Sequence, residues 1–337
     1  MNEIELPALR GRNPLGLFAA LGVLDVASHH LSDRHVTLRW TDGLEPHAVL
    51  SGPDSLDQLL ELCEQDQQRW ASSLVLTWGP RGIPLDDLKP SLPDLRRWIE
   101  DVLEEYWRTG DDRDITLLSA LVAEGAAAGK GNAKPTHFHF TAGNQKFLAM
   151  VRLLRHAVTV DDFAEALVGP WCYESELPVL GWDARGERIW ALRGFAPAGE
   201  KKTGVPGADW LGFLGLRFFP VALQTGGDGA QRLVTTGCTG NWKSGSFSWP
   251  LWRIPLTSDV AGCLLADPGI VEMTQESRHR LGVSQVMRAG IRRTDQGGYG
   301  SFGPPSPIGP SPVDARPSVV QRLGGRQRGR CGRADRA

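Results

Sequence analysis

The sequence predicts an α+β fold, a mixture of helices and short antiparallel sheets followed by a disordered C-terminal tail. Three observations predict it. Helix-period apolar stripes and period-two runs both occur, without the regular strand–helix alternation of a doubly wound sheet and without a solenoid period. The chain has 337 residues and 41% hydrophobic content, enough to bury a sizeable core. From Pro304 the composition turns to proline, glycine and arginine with little to bury.

Each element has a local reason. Ile4 and Leu6 form an apolar lead-in to the polar turn Arg10–Asn13. Asn13 can cap a helix, and Pro14 suits the first turn, where a missing N–H costs nothing. Leu15, Phe18, Leu21, Val23 and Leu24 then give a wide apolar face, while Gly16 and Gly22 let another backbone approach. Val36 to Trp40 alternates as a strand. Ser55 and Gln58 make a possible capping box for a helix from Ser55 to Cys63. Leu74 to Trp78 reads as a strand. Ser91 to Trp107 is an amphipathic helix with Leu95, Trp98, Ile99, Val102, Leu103 and Tyr106 on one face, stopped by Gly110. Leu117 to Ala128 reads as a helix, residues 129–135 as a hinge, and Thr136 to Phe140 as a strand. Helices follow at Gln145–His156 and Val160–Leu167, then a hairpin over residues 178–193 and a polar loop over 194–208. Residues 209–219 form a short helix or buried segment. Strands are predicted at 231–237, 246–252 and 284–292. The glycine-spaced runs Leu15–Leu24 and Leu211–Leu216 echo each other in a way that convergent packing explains.

This pattern divides the chain into an N-terminal helical and mixed domain (1–128), an α+β domain (136–300) and the tail (304–337). No apolar run reaches the ~18–20 residues that span a bilayer, so no membrane partner is predicted, and the cysteine pattern below predicts a cytoplasmic protein. Five scattered cysteines without a C-x-x-C pair fit reduced thiols and argue against structural zinc. The net charge is −2, but residues 301–337 carry +5, so the body carries −7. Any nucleic-acid surface must therefore come from local clusters. The tail reads as an arginine-rich arm, a solvated end without a role, or a frameshifted end.

No set of residues forms an active site. Gly125–Gly131 falls short of a phosphate loop: three residues rather than four separate Gly125 and Gly129, and Gly131 stands where a Ser or Thr would follow Lys130. His137 and His139 share a strand face but lack the further ligands a metal needs. The prediction is a non-enzyme with no cofactor and no metal. Polar loops do suit a phosphate backbone: Lys130, Lys134 and Lys146 around one loop–strand–helix unit, Lys201 and Lys202 in the glycine-rich loop, and Trp242 with Lys243 in the Thr235–Gly245 segment. Arg278, His279, Arg280, Arg288, Arg292 and Arg293 are the densest basic cluster of the body. The candidate nucleic-acid contacts are Lys130, Lys134, Lys146, Lys201, Lys202, Trp242, Lys243, Arg288, Arg292 and Arg293. Basic side chains and backbone N–H groups would hold phosphates, and the Trp242 ring would stack a base.

The opening stretch, residues 3–27, resembles the start of subunits from type I-G (formerly I-U) CRISPR-Cas systems, the large-subunit-like and Cas3-extension-like families. Phe140–Phe147, Gly207–Pro220 and Gly282–Arg293 are similar in kind to later segments of those families. The resemblance implies a non-catalytic subunit of an effector complex. Its partners would be CRISPR RNA or target DNA and neighbouring subunits, with a separate helicase-nuclease doing the cutting. The chain is shorter than large subunits usually are. The alternatives are a metal-dependent, nuclease-type enzyme using His137, His139 and a carboxylate, or a pure protein-interaction scaffold.

Overall fold

The computed structural model describes residues 2–127, 131–186, 203–226, 229, 231–293 and 299–310. Along them run β1 (Glu3–Arg10), α1 (Pro14–His30), β2 (Thr37–Trp40), β3 (His47–Ser51), α2 (Leu56–Arg69), α3 (Leu74–Thr77), α4 (Leu92–Thr109), α5 (Arg113–Leu121), β4 (Val122–Ala127) and β5 (Ala133–Pro135). Then come α6 (Phe147–Ala157), α7 (Val160–Val168), α8 (Pro206–Gly215), β6 (Val221–Thr225), β7 (Gln231–Thr235), β8 (Cys238–Gly240) and β9 (Gly245–Trp252). The last elements are α9 (Ser258–Ala266), α10 (Gln275–Arg280), β10 (Val283–Arg293), β11 (Gly300–Phe302) and β12 (Ser306–Pro307). The class is α+β with short antiparallel sheets, as expected. One sheet has the order β1–β3–β2. A larger one runs β11–β10–β9–β8, with β12 also paired to β10. The pairs β4–β5 and β6–β7 stand apart from both.

The centre of the molecule is α1. Every residue from Pro14 to Ala27 is buried, so the helix has no solvent side and must be enclosed all round. The Asn13 side chain caps it by accepting from the Leu15 N–H at 3.2 Å. Its partner is α8, whose ten residues are all buried. The two helices meet glycine to glycine. A Cβ on Gly22 would stand 1.9 Å from the Leu211 carbonyl oxygen, and one on Gly215 would stand 1.9 Å from that of Phe18. The echo between the two glycine-spaced runs is therefore a matched contact, in which each helix supplies the notch for the other's backbone.

Tryptophan N–H groups tie the sheets to this centre. Trp249 on β9 donates to the Gly11 carbonyl at 2.8 Å, and Trp252 to that of Leu38 at 2.8 Å. Trp182 donates to the Phe138 carbonyl at 2.9 Å. Between them lies an aromatic cluster of Phe18, Phe138, Phe219, Phe247 and Phe302, with centroid separations such as 4.9 Å for Phe138–Phe247. One apolar core holds residues from both sides of the boundary expected at 128–136, from Leu6 to Phe302.

Several elements differ from expectation. Leu74–Thr77 is a helical turn rather than a strand: Ser73 accepts from the Val75 N–H, and Asp114 accepts from Ser73 and from the Leu74 N–H. The predicted helix at 117–128 ends at Leu121, because the chain extends into β4 to pair with β5. Thr136–Phe140 is an irregular turn. Its backbone groups bond mostly to side chains, with Thr235 accepting from the His137 N–H and Arg293 donating to the His137 and His139 carbonyls, while the Phe140 carbonyl accepts from the Gly300 N–H of β11. Residues 181–183 form no strand, and Ala184–Gly186 is a 3₁₀ turn; the rest of that expected hairpin, from residue 187, lies outside the described residues. The tail begins later than expected. Ser306 and Pro307 pair with β10, and the Ile308 N–H donates to the Val286 carbonyl at 2.7 Å. Arg278, buried, donates to the carbonyls of Ile308 and Val271, both at 2.8 Å. Residues 304–310 are thus packed, and 311–337 lie outside the described residues.

Candidate nucleic-acid interface

Three of the candidate residues, Arg288, Arg292 and Arg293, lie on one strand, β10. β10 alternates along its length: Met287, Ala289 and Ile291 are buried on the inner face, against Trp249 and Phe247 of β9. Arg288, Gly290 and Arg292 take the opposite parity and face outward. Register carries this parity across the sheet. Arg288 pairs with Ser248 on one side and Ser306 on the other, Gly290 with Ser246, and Arg292 with Ser301. Ser246 in turn pairs with Thr239 of β8. The outer face therefore gathers two arginines and five hydroxyls, Thr239, Ser246, Ser248, Ser301 and Ser306, with no carboxylate among these positions. Arg288 Nε donates to Ser248 Oγ at 3.1 Å, and the Thr239 and Ser246 hydroxyls are 2.9 Å apart. Arg292 is exposed.

Only part of this face is open. At the Val286 end, Ile270, Val283 and Val286 form a second small apolar cluster with Leu264, Val271, Met273 and Ile308. The segment from α9 to α10 and the chain after β12 thus cover that half. Among the described residues no such apolar cluster covers the face from Arg288 to Arg292, along which Ser248 is buried, Arg288 half-buried and Gly290 and Arg292 exposed. A Cβ built on Gly290 meets no atom within 4 Å, and the backbone there is not in the left-handed region.

Arg293 has a different fate from its neighbour. Nη1 donates to the His139 carbonyl at 2.6 Å, Nη2 to that of His137 at 2.7 Å, and Nε to that of Trp242 at 2.8 Å. The guanidinium stacks 3.6 Å from the Trp242 ring centroid, with the Phe140 ring at 5.2 Å on the same group. Burial pushes its pKa down to about 9. This arginine clamps the 136–140 turn to the end of the sheet, and the indole stacks on it.

The histidines of that turn are engaged too. His137 Nδ1 lies 3.0 Å from Thr235 Oγ1, and burial lowers its pKa to about 4, helped by nearby Arg293 and Lys134. His139 Nε2 lies 2.6 Å from Asp87 Oδ1 and 3.2 Å from Thr141 Oγ1. Both partners meet the same nitrogen, so this trio lacks the relay of a hydroxyl–imidazole–carboxylate triad, which uses the two ring nitrogens. Among the described residues no group of three His, Cys, Asp or Glu is placed to hold a metal ion.

Of the other candidates, Lys243, Lys146 and Lys134 lie among the described residues, outside β10. Lys243 is exposed in the β8–β9 turn, which the Asn241 side chain organises by accepting from the Lys243 and Ser244 N–H groups, both at 2.9 Å. Lys146 is exposed on the loop that passes Tyr299 at Gly143. Lys134 is half-buried on β5. Lys130, Lys201 and Lys202 lie outside the described residues. The structure thus brings Arg288 and Arg292 to one surface with Lys243 in an adjoining turn, and turns Arg293 and Trp242 toward each other. Sequence reasoning missed the hydroxyls of the outer face. Their signal was the parity of Ser246 and Ser248 in one strand and of Arg288, Gly290 and Arg292 in the next.

In comparisons with family models, with curated proteins and with solved structures, nothing matches this chain.

Proposed function

We propose that this chain is a non-catalytic, nucleic-acid-contacting subunit of a type I-G CRISPR effector complex. It would hold CRISPR RNA or target DNA beside neighbouring subunits while a separate helicase-nuclease cuts. The reading rests on one feature, the outer face of the β8–β12 sheet. Arg288 and Arg292 stand there among five hydroxyls, without a carboxylate, on a protein whose body is acidic. Arginine and hydroxyl donors are the groups that hold phosphate oxygens, and a local basic face on an acidic body directs a polyanion to one place. The resemblance of residues 3–27, 140–147 and 207–220 to effector subunits supports the choice of assembly. The engagement of His137 and His139 in packing supports a binding role over a hydrolytic one.

The test is co-purification with the products of neighbouring CRISPR genes, followed by the 260 to 280 nm absorbance ratio of the assembly. A nucleic-acid-bearing complex that releases its RNA or DNA when Arg288 and Arg292 are both changed to alanine is the expected result. A complex of full composition that carries nucleic acid equally well after the double change would overturn the assignment to this face. Failure of the chain to join any such complex would overturn the assembly.

A further inference from the structure

We infer that this face grips the sugar–phosphate backbone of a single nucleic-acid strand lying along β10, with phosphates at Arg288 and Arg292 and the intervening stretch of backbone seated over Gly290. The inference rests on the reading above and specifies how that site works. Residues of one face recur every second position, so the two arginines are rooted about 14 Å apart along the strand, with Gly290 midway. Gly290 is not required by its backbone, since its φ lies outside the left-handed region, and no neighbour crowds the place of a side chain. Packing therefore gives no reason for a glycine, and any residue would fit. What the glycine does is leave a notch in an otherwise side-chain-covered face. Ser246 lies directly across from it and Thr239 beyond, so the notch has hydroxyl walls.

The chemistry of the face also says what it reads. Among the described residues, no aromatic ring stands at the paired outward positions Thr239, Ser246, Ser248, Arg288, Gly290, Arg292, Ser301 and Ser306, and the Trp242 ring is stacked on Arg293. Bases are thus not held by stacking here, and phosphate and sugar contacts carry no sequence information. The grip would be sequence-independent and would leave the bases directed away from the sheet, open to pairing with a second strand.

The full-length chain tests this by fluorescence anisotropy with labelled single-stranded RNA and DNA probes, each in a mixed and a homopolymeric sequence. The variants are Gly290→Gln, Gly290→Glu and Arg288→Ala with Arg292→Ala, their folding checked by thermal melts. Gly290→Gln fills the notch and should weaken binding several-fold. Gly290→Glu adds a carboxylate between two phosphates and should weaken it by about a further tenfold, an effect that shrinks with salt. The double arginine variant should reduce the slope of log affinity against log salt by about 1.4, that is about 0.7 for each lost phosphate on a single strand. Mixed and homopolymeric probes should bind alike, and whichever of RNA and DNA binds more tightly identifies the strand. Binding that all three variants leave unchanged would overturn the path along β10 while leaving a nucleic-acid role intact. A strong sequence preference lost in the variants would overturn the backbone-only grip. Absence of binding by the unaltered chain to every probe would overturn both this inference and the function on which it rests.

Discussion

The two faces of β10 carry the same residue type to opposite ends. Arg293, on the inner side at the strand's end, donates to three backbone carbonyls and stacks on Trp242. Arg292, its chain neighbour, stands exposed on the outer side across from Ser301. A one-residue shift in register would exchange them. The contrast teaches that a basic cluster in sequence is a mixture. The inner arginine holds the fold, and the outer pair stands on the face opposite the core. Arg278 belongs with the inner class, its guanidinium spent on the carbonyls of Val271, Ile308 and Gly309.

The comparison breaks first at Arg293. Arg293→Ala leaves three carbonyls without their donor, and unmade hydrogen bonds at buried groups cost about 1–3 kcal/mol each. A loss of about 3 kcal/mol or more is expected in urea melts. A loss under about 0.5 kcal/mol, the range of ordinary surface changes, would show that the clamp is not structural.

Next comes the packed start of the tail. Ending the chain after Phe302 removes β12, the Ile308 contacts and two acceptors of Arg278. Loss of one well-buried aliphatic side chain alone is worth about 1.5–3 kcal/mol, and Ile308 is only partly buried, so about 1–2 kcal/mol is expected. Ending it after Pro310 should cost nothing measurable by the same melts. Equal stability of the two truncations would remove the distinction between them.

Acid should act on the inner side. The folded state holds His137 well below its ordinary 6.5, at about 4, and burial lowers His139 as well. The unfolded chain therefore takes up these protons first as pH falls. Their contribution to stability is present above about pH 6.5 and is lost progressively toward pH 4. Melts across that window should show a slope that His137→Gln flattens and Arg292→Ala leaves alone. A slope unchanged in His137→Gln would mean that the imidazole titrates normally. The smallest effect is on the outer side: Arg292→Ala should shift stability by no more than about 0.5 kcal/mol.

Much of the fold was legible. Asn13–Pro14 marked a helix start, Ser91 to Gly110 a whole amphipathic helix, and the alternation at 246–252 and 284–292 two strands. The errors came where long-range partners override local pattern. Leu74–Thr77 has β-prone residues but sits between the Ser73 and Asp114 side chains, which make it a helical turn. Thr136–Phe140 alternates like a strand, yet Thr235 and Arg293 side chains hold its backbone where a strand ladder would, with a single bond from the Gly300 N–H at its end. The site was half legible. Charge singles out Arg288 and Arg292 in the sequence, and the structure puts them on one face. Arg293 and Trp242 were grouped with them, because adjacency in the chain hides a difference in face. The parity of β10 is already written in Met287, Ala289 and Ile291, and it assigns Arg293 to the inner side from the sequence alone.

The most direct measurement reads both faces on one pair of proteins: Arg292→Ala and Arg293→Ala, each assayed for melting temperature and for affinity toward a single-stranded probe at a temperature where both are folded. The predicted result is a crossed pattern. Arg292→Ala should weaken binding with its melting temperature unchanged. Arg293→Ala should melt several degrees lower and, while folded, bind as the unaltered chain does. Binding lost in Arg293→Ala and retained in Arg292→Ala would contradict the division between the two faces.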